Sequence, residues 1–252
     1  MCGIAGIFNL SGSNPIPYIN LEKMSACLRH RGPDQSGIYM DNQIGIAQTR
    51  LSIIDLAGGL QPIHNENNSL WIVFNGEIYN YIELKSSILT NDHNFYTNTD
   101  TEVIVHLYEN EKENCLHKLN GQFAFAIWDS VNKELFIARD RVGKKPLFYT
   151  VYDGKFYFGS EIKSIFTCPE IQKEIDHNSL DQIFTFWTTL PGKTIFRNIY
   201  ELPAGSYLKI SKGSLQVKQY WDFDFKINNE PADYSAGEIA EMAGELLKDS
   251  TV

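Results

Sequence analysis

Cysteine is scarce in this sequence, with four residues among 252. None forms a Cys-x-x-Cys pair, and no Cys/His group has the spacing of zinc ligands, so the sequence predicts no metal site. The six histidines are scattered along the chain without pairing, and we expect them to be surface or core residues. Three cysteines are interpreted as small core residues of a protein from a reducing compartment, namely Cys27, Cys115 and Cys168.

The sequence also lacks an excess of positive charge and any long apolar run. Lys and Arg total 22 against 31 Asp and Glu, a net charge of −9, which argues against binding to nucleic acid or to anionic lipid. No run approaches the ~18 apolar residues of a membrane helix, and the start "MCGIAGIFNLSG" has no basic segment of the secretory type. We therefore expect a cytoplasmic protein that acts on a small molecule.

The start of the chain carries the strongest chemical signal. The motifs G-x-S-x-G, H-E-x-x-H, G-x-G-x-x-G and the P-loop do not occur, but a cysteine follows Met1. If Met1 is removed, Cys2 presents a thiol and a free α-amine on one residue. An amine with a pKa of about 8 can accept the proton of a thiol with a pKa of about 8.5. Cys2 is therefore a candidate nucleophile, and a chance Met-Cys-Gly is the alternative.

The pattern along the chain predicts an α+β fold, because antiparallel strand pairs alternate with grouped helices and not with single crossover helices. A polar, irregular stretch at 224–234 is interpreted as a linker. Strands are predicted over 3–8, 44–54, Ser69–Phe74, 123–129, 134–140, two within 145–160, and 205–210 with 215–221. Helices are predicted over 19–30, with Leu21, Met24 and Leu28 on one face, 78–89, 101–111, 178–187 with Asn178 as its cap, and from about Ser235.

Two stretches place basic residues beside turns or strand ends. "RHRGPDQSG" at Arg29–Gly37 suits a helix C-terminus followed by a turn, and a functional role is equally open. Arg50 ends an apolar strand, where a guanidinium can bind a carboxylate through two hydrogen bonds. An edge-exposed arginine is the alternative.

The stretch "FNGEIYN" follows an apolar strand and has two interpretations. One is an Asn-Gly turn into a helix. The other is a pair of donors, the Asn75 amide and the Gly76 backbone N–H, that could bind an oxyanion, with Glu77 beside them to face an ammonium group. Further on, Thr99 and Glu102 have the spacing of a capping box, which by itself accounts for Asp100 in the first turn of a helix.

Taken together, these stretches resemble the class II, or N-terminal nucleophile, glutamine amidotransferase domain, in particular that of glutamine-dependent asparagine synthetases. The similarity spans about residues 1–222. It is carried in order by "MCGIAGIF", "RHRGPD", "TRLSIID", "FNGEIYN", "TDTEV", "GQFAFAIWD", "RDRVGKKPLFY" and "SEIKSI".

The resemblance implies a role for each candidate residue. Cys2 would attack the side-chain amide of L-glutamine, and Asn75 with the Gly76 N–H would form the oxyanion hole. Arg50 would hold the α-carboxylate. The α-ammonium would face Glu77 and Asp100. The implied fold is a four-layer αββα sandwich of two mainly antiparallel sheets flanked by helices.

The sequence departs from the family after the amidotransferase part. Synthetases continue into an ATP-pyrophosphatase domain with an S-G-G-x-D-S loop, which is absent here. We therefore expect 1–222 to be a glutaminase domain and 223–252 a linker with the first helix of a truncated ATP-dependent synthetase domain. ATP and magnesium would act only through that domain, and glutamine hydrolysis would need no cofactor. An acceptor such as a sugar or peptide acid, a non-catalytic scaffold, and a homodimer all stay open.

Overall fold

The computed structural model describes residues 1–10, 15–89, 93–225 and 234–251. The chain divides into two compact units, Met1–Asp222 and Phe223–Val252. Within the described ranges, no helix combines the length and the apolar character needed to cross a bilayer.

Twelve strands and six helices are named here in chain order. The strands are β1 (Gly3–Asn9), β2 (Gln35–Met40), β3 (Ile44–Arg50), β4 (Ile63–His64), β5 (Leu70–Ile78), β6 (Gly121–Asp129), β7 (Glu134–Arg139), β8 (Phe148–Tyr152), β9 (Lys155–Gly159), β10 (Tyr200–Glu201), β11 (Ser206–Ser211) and β12 (Ser214–Gln219). The helices are α1 (Tyr18–Cys27), α2 (Tyr81–Ile88), α3 (Asp100–Glu111), α4 (Ile162–Ile165), α5 (His177–Phe186) and α6 (Ala236–Asp249).

The strands form two antiparallel six-stranded sheets. One has the order β10-β8-β9-β1-β3-β2 and the other β12-β11-β7-β6-β5-β4. Successive side chains of a strand point to opposite faces, so each central strand packs on both sides. In β1, Ile7 joins the buried cluster that contains Leu21 and Met24 of α1. Its neighbour Phe8 packs with Val73 of β5, between the sheets.

A third cluster lies on the other side of the second sheet. Phe125 of β6 packs there with Ile104 of α3 and Leu84 of α2. The layers therefore run helix, sheet, sheet, helix, and the α+β prediction with four αββα layers is confirmed. The predicted apolar face of α1 is also confirmed, since Leu21 and Met24 are fully buried.

The helix start agrees with the sequence at α6 and differs at α5. Ser235 caps α6 through a complete capping box with Glu238, as expected for a helix starting near Ser235. The prediction that Asn178 caps α5 is wrong, because the Asp176 carboxylate accepts the first free N–H groups instead.

At α3 only half of the predicted capping box is present. The Thr99 hydroxyl accepts the Glu102 N–H. The Glu102 carboxylate turns away and accepts the backbone N–H groups of Tyr96 and Thr97. Glu102 therefore fixes the loop before the helix as well as serving the cap.

Of the two interpretations of "FNGEIYN", the Asn-Gly turn is wrong. Strand β5 continues through Asn75, Gly76 and Glu77 because β6 pairs with it along its whole length. Gly76 allows this pairing, since a Cβ there would overlap the carbonyl oxygen of Gln122.

The strand predicted over 44–54 stops at Arg50. The carbonyl groups of Ile54 and Asp55 leave the sheet and accept hydrogen bonds from the Arg50 guanidinium. Four short elements were not predicted, namely β2, β4, β10 and α4.

Candidate active site

Five of the six predicted site residues line one cavity. They are Cys2, Arg50, Gly76, Glu77 and Asp100. The other wall residues are Leu51, Ile53, Ile54, Gly59, Gln61, Phe74, Thr99 and Thr101. The sixth predicted residue, Asn75, does not line this cavity.

The Cys2 thiol is held at the start of β1 by one neighbouring residue. The backbone N–H of Leu51 lies 3.4 Å from Sγ, and the thiol points at the Leu51 carbonyl oxygen at 3.7 Å. Burial raises the pKa of the thiol, while the Leu51 N–H, the chain N-terminus and Arg50 act to lower the pKa. The raised pKa keeps the resting thiol protonated at neutral pH, so reaction needs a base close by.

The backbone of Cys2 is fixed by Arg31, which the sequence left undecided. The Arg31 Nε donates to the Cys2 carbonyl oxygen at 2.9 Å, and Nη1 donates to Glu161 at the same distance. Burial alone would raise the pKa of Glu161, but hydrogen bonds from Lys163, Arg31 and His30 lower it to about 2. The motifs "RHRGPD" and "SEIKSI" therefore meet in space and fix the backbone of Cys2.

Arg50 is buried, so the alternative of an edge-exposed arginine is wrong. Its guanidinium donates to Gln35 Oε1 at 2.8 Å and to the Ile54 and Asp55 carbonyl oxygens at 2.7 and 2.8 Å. Gly59 packs so closely that a Cβ would overlap Nη2. The cation is thus rigid at the cavity wall before any ligand binds.

The Asn75 side chain is fully buried, and neither its amide nitrogen nor its oxygen has a hydrogen-bond partner among the described residues. A buried amide without partners is unfavourable by about 1–3 kcal/mol. Asn75 and Glu77 share the face of β5 that carries Val73, which packs between the sheets. The next two residues of β5, Gly76 and Glu77, both line the cavity.

Two carboxyl groups form the acidic side of the cavity. The pKa of Glu77 is raised to about 7, first by burial and then by the negative charge of Asp100, while Lys145 acts in the opposite direction. Burial raises the pKa of Asp100 to about 6, although its Oδ2 accepts the Ile78 N–H at 3.0 Å. A cation placed between them would relieve both effects.

Lys145 was not singled out by the sequence, although it lies in "RDRVGKKPLFY". Its side chain is buried, and burial lowers its pKa while Glu77 acts to raise it. The backbone of the same segment is held by Asp140, which accepts the N–H groups of Lys144 and Lys145. A cation therefore interacts with Glu77 of the acidic pair.

A family model described as "Glutamine amidotransferase domain" matches residues 1–221. The chain belongs to this family. This glutamine amidotransferase domain is 34% identical to asparagine synthetase [glutamine-hydrolyzing] 3 of Bacillus subtilis over 96% of the chain and 40% of that protein. It is 38% identical to asparagine synthetase [glutamine-hydrolyzing] 2 of the same organism, over 99% of the chain and 35% of that protein.

The amidotransferase domain thus spans about two fifths or less of the length of these relatives. Among solved structures, it matches the glutamine phosphoribosylpyrophosphate amidotransferase of B. subtilis with a TM-score of 0.58 and 20% identity. The match covers 87% of this chain and 49% of that one. This structural likeness agrees with the αββα layers of the fold.

Proposed function

We propose that the domain hydrolyses L-glutamine to glutamate and ammonia with Cys2 as nucleophile. The observation that carries the proposal is that charges of both signs line one cavity: a buried cation, Arg50, and the Glu77–Asp100 pair. A free amino acid has a carboxylate and an ammonium group, so it complements both charges. Its side-chain amide would then extend toward Cys2.

The chemistry needs no group beyond the chain, glutamine and water. The Cys2 thiol transfers its proton to the α-amine exposed by removal of Met1, and the sulfur attacks the amide carbon. The C–N bond breaks as the amine returns the proton to the leaving group, which departs as ammonia and leaves a γ-glutamyl thioester. Water then attacks the thioester, releasing glutamate and restoring the thiol.

The oxyanion of each tetrahedral intermediate needs donors that are already in place. We assign these to the Asn75 amide and the Gly76 N–H. The support is the Asn75 side chain, which is buried without a partner within the described ranges. If the Asn75 amide forms its hydrogen bond only when the oxyanion forms, it stabilises the transition state without stabilising bound glutamine.

For the whole protein, we propose that the ammonia serves an ATP-dependent synthetase domain that amidates aspartate. The support is the identity to two asparagine synthetases over nearly all of this chain. ATP and magnesium would belong to that domain, glutamine hydrolysis itself would need no cofactor, and the cytoplasm is the proposed location. The cavity would bind glutamine and not the acceptor, so its residues do not distinguish aspartate from other acceptors. A sugar or peptide acid as acceptor is therefore the competing proposal.

The second unit is consistent with a continuing polypeptide. Helix α6 exposes Ile239, Met242 and Leu246, three apolar side chains spaced along one helix face. We propose that residues 223–252 lead into the synthetase domain, which would cover this face.

The proposal is tested by measuring glutamate released from glutamine by the 252-residue chain. We expect turnover by the parent chain and by Cys27→Ala, and none by Cys2→Ala. Cys27 is a suitable control because it is also a free, partly buried cysteine. If the folded parent protein shows no turnover, the domain is a non-catalytic scaffold. If Cys2→Ala retains full turnover, the nucleophile is another residue.

A further inference from the structure

A second cluster of titratable side chains lies outside the glutamine cavity. It combines Glu66, from the turn between β4 and β5, with His93 and with His106 and Glu109 of α3. One ligand atom from each residue can be chosen so that all four lie within 4.8 Å of one another. The rings of His93 and His106 are 4.6 Å apart between centroids, so these two histidines are paired despite their distance in sequence.

His106 shows that the cluster is incomplete as a hydrogen-bonded network. Its side chain is fully buried, yet neither ring nitrogen has a hydrogen-bond partner in the described part of the chain. Oε2 of Glu109 is also buried without a partner there. A buried imidazole and a buried carboxylate oxygen that face each other unbonded are both unfavourable unless something lies between them.

The distances between the facing nitrogen and oxygen atoms suit a tetrahedral cation. Ligands about 2.0–2.1 Å from a zinc ion lie about 3.3 Å from one another. Nδ1 of His93 lies 3.0 Å from Oε1 of Glu66 and 3.9 Å from Oε2 of Glu109. Nδ1 of His106 lies 3.6 Å from the other Glu66 oxygen, Oε2, and 3.8 Å from Oε2 of Glu109. These separations bracket the tetrahedral value.

Three of the four ligands, His93, His106 and Glu109, also have an outer partner on the far side. Nε2 of His93 donates to Asn110 Oδ1 at 3.1 Å, and Nε2 of His106 faces Glu102 Oε1 at 3.6 Å. Oε1 of Glu109 accepts from an asparagine amide, that of Asn65, at 3.0 Å. Such outer contacts direct the remaining lone pair of each ligand inward, as they do at protein metal sites.

We propose that Glu66, His93, His106 and Glu109 bind one divalent transition-metal ion of the zinc class. Imidazole and carboxylate ligands suit zinc, whereas magnesium prefers an all-oxygen octahedral site. The ion ties the turn before β5 and the segment around His93 to α3. The first residue of α3 is Asp100, so the metal would brace the helix that carries one wall of the glutamine cavity.

The ligands come from four sequence positions, and only His106 and Glu109 are close in sequence, three residues apart on one helix. Zinc patterns are recognised from Cys and His at fixed spacings. The sequence therefore showed no sign of this cluster, and the expectation of no metal site was made without it.

The test is titration of the untagged, chelator-treated 252-residue chain with Zn²⁺, followed by metal analysis after dialysis. The work is done in a Cys2→Ala background to remove the catalytic thiol as a ligand. We expect one ion per chain and a melting temperature that rises with Zn²⁺ but not with Mg²⁺. Co²⁺ should give the intense visible absorption of a four-coordinate site.

Variants separate this site from adventitious binding. Glu109→Gln and His93→Gln should each weaken Zn²⁺ binding at least tenfold, as even loss of an outer partner does. Glu111→Gln, on the same helix, and His117→Gln should bind as the parent does. The proposal is overturned if the folded parent takes up no zinc, or if all four variants bind equally. The cluster would then be a network of hydrogen bonds in which His93 links Glu66 to Asn110.

Discussion

Replacing Glu77 with glutamine should stabilise the protein in alkaline solution while weakening its hold on glutamine. Folding raises the pKa of Glu77 from 4.5 to about 7. Between these values the folded chain holds a proton that the unfolded chain has released, so the Glu77 contribution to stability is lost as pH rises through the window. Glutamine cannot ionise, so Glu77→Gln removes this loss.

The size of the effect follows from the pKa change. At about 1.4 kcal/mol for each pKa unit, the full change corresponds to about 3 kcal/mol. Solvent reaches part of the side chain, which reduces the expected difference to about 1–2 kcal/mol. The free energy of unfolding of Glu77→Gln, relative to the parent, should therefore increase by about 1–2 kcal/mol between about pH 5 and about pH 8.

Urea unfolding of both proteins at the two pH values measures this difference, and Glu22→Gln, an exposed glutamate of α1, is the control. The same variant should raise KM for glutamine about tenfold or more, since a bond to a charged group contributes about 1.5–3 kcal/mol. If the free energy of unfolding of Glu77→Gln relative to the parent is the same at both pH values, Glu77 does not lie in the buried, charge-coupled environment described here.

Two further substitutions test the neighbouring geometry. Gly76→Ala should lower the free energy of unfolding by about 1–3 kcal/mol and remove glutaminase activity, because its Cβ overlaps the Gln122 carbonyl oxygen. The control is Gly244→Ala in α6, where open space surrounds the added Cβ, and this change should be neutral or stabilising by up to about 1 kcal/mol. If both substitutions change thermal unfolding equally, the close packing described at Gly76 is wrong. Arg31→Lys keeps the charge but loses the guanidinium geometry that holds the Cys2 carbonyl, so kcat should fall about tenfold or more with little change in KM. Unaltered kcat would show that this contact does not position the nucleophile.

The sequence predicted best where the information is local. Leu21 and Met24 follow helical spacing, and both are buried against β1 as expected. The motif "MCGIAGIF" placed Cys2, the candidate nucleophile, at the start of a strand, and Cys2 directly precedes β1 in the structure. The same local reasoning placed Asp100 only in the first turn of a helix, because the capping box of Thr99 and Glu102 accounted fully for its position.

What the sequence could not show depends on pairing between distant segments. Asn75 and Gly76 have the composition of a turn, and only the partner strand β6 makes them extended. Asp100 is brought to the cavity by a contact with that same strand β5, whose Ile78 N–H donates to its carboxylate. Arg31 reaches Cys2 across a separation of 29 residues. These contacts arise from tertiary packing, which overrides local preference.

The central claim is that Cys2, freed of Met1, is a nucleophile in a formed glutamine pocket. The most direct measurement is the intact mass of the purified chain before and after exposure to a diazo-ketone analogue of glutamine. We predict loss of Met1 and a single stoichiometric adduct that is absent in Cys2→Ala and slowed by excess glutamine. A processed chain that takes no adduct, or an adduct that persists in Cys2→Ala, would contradict the account.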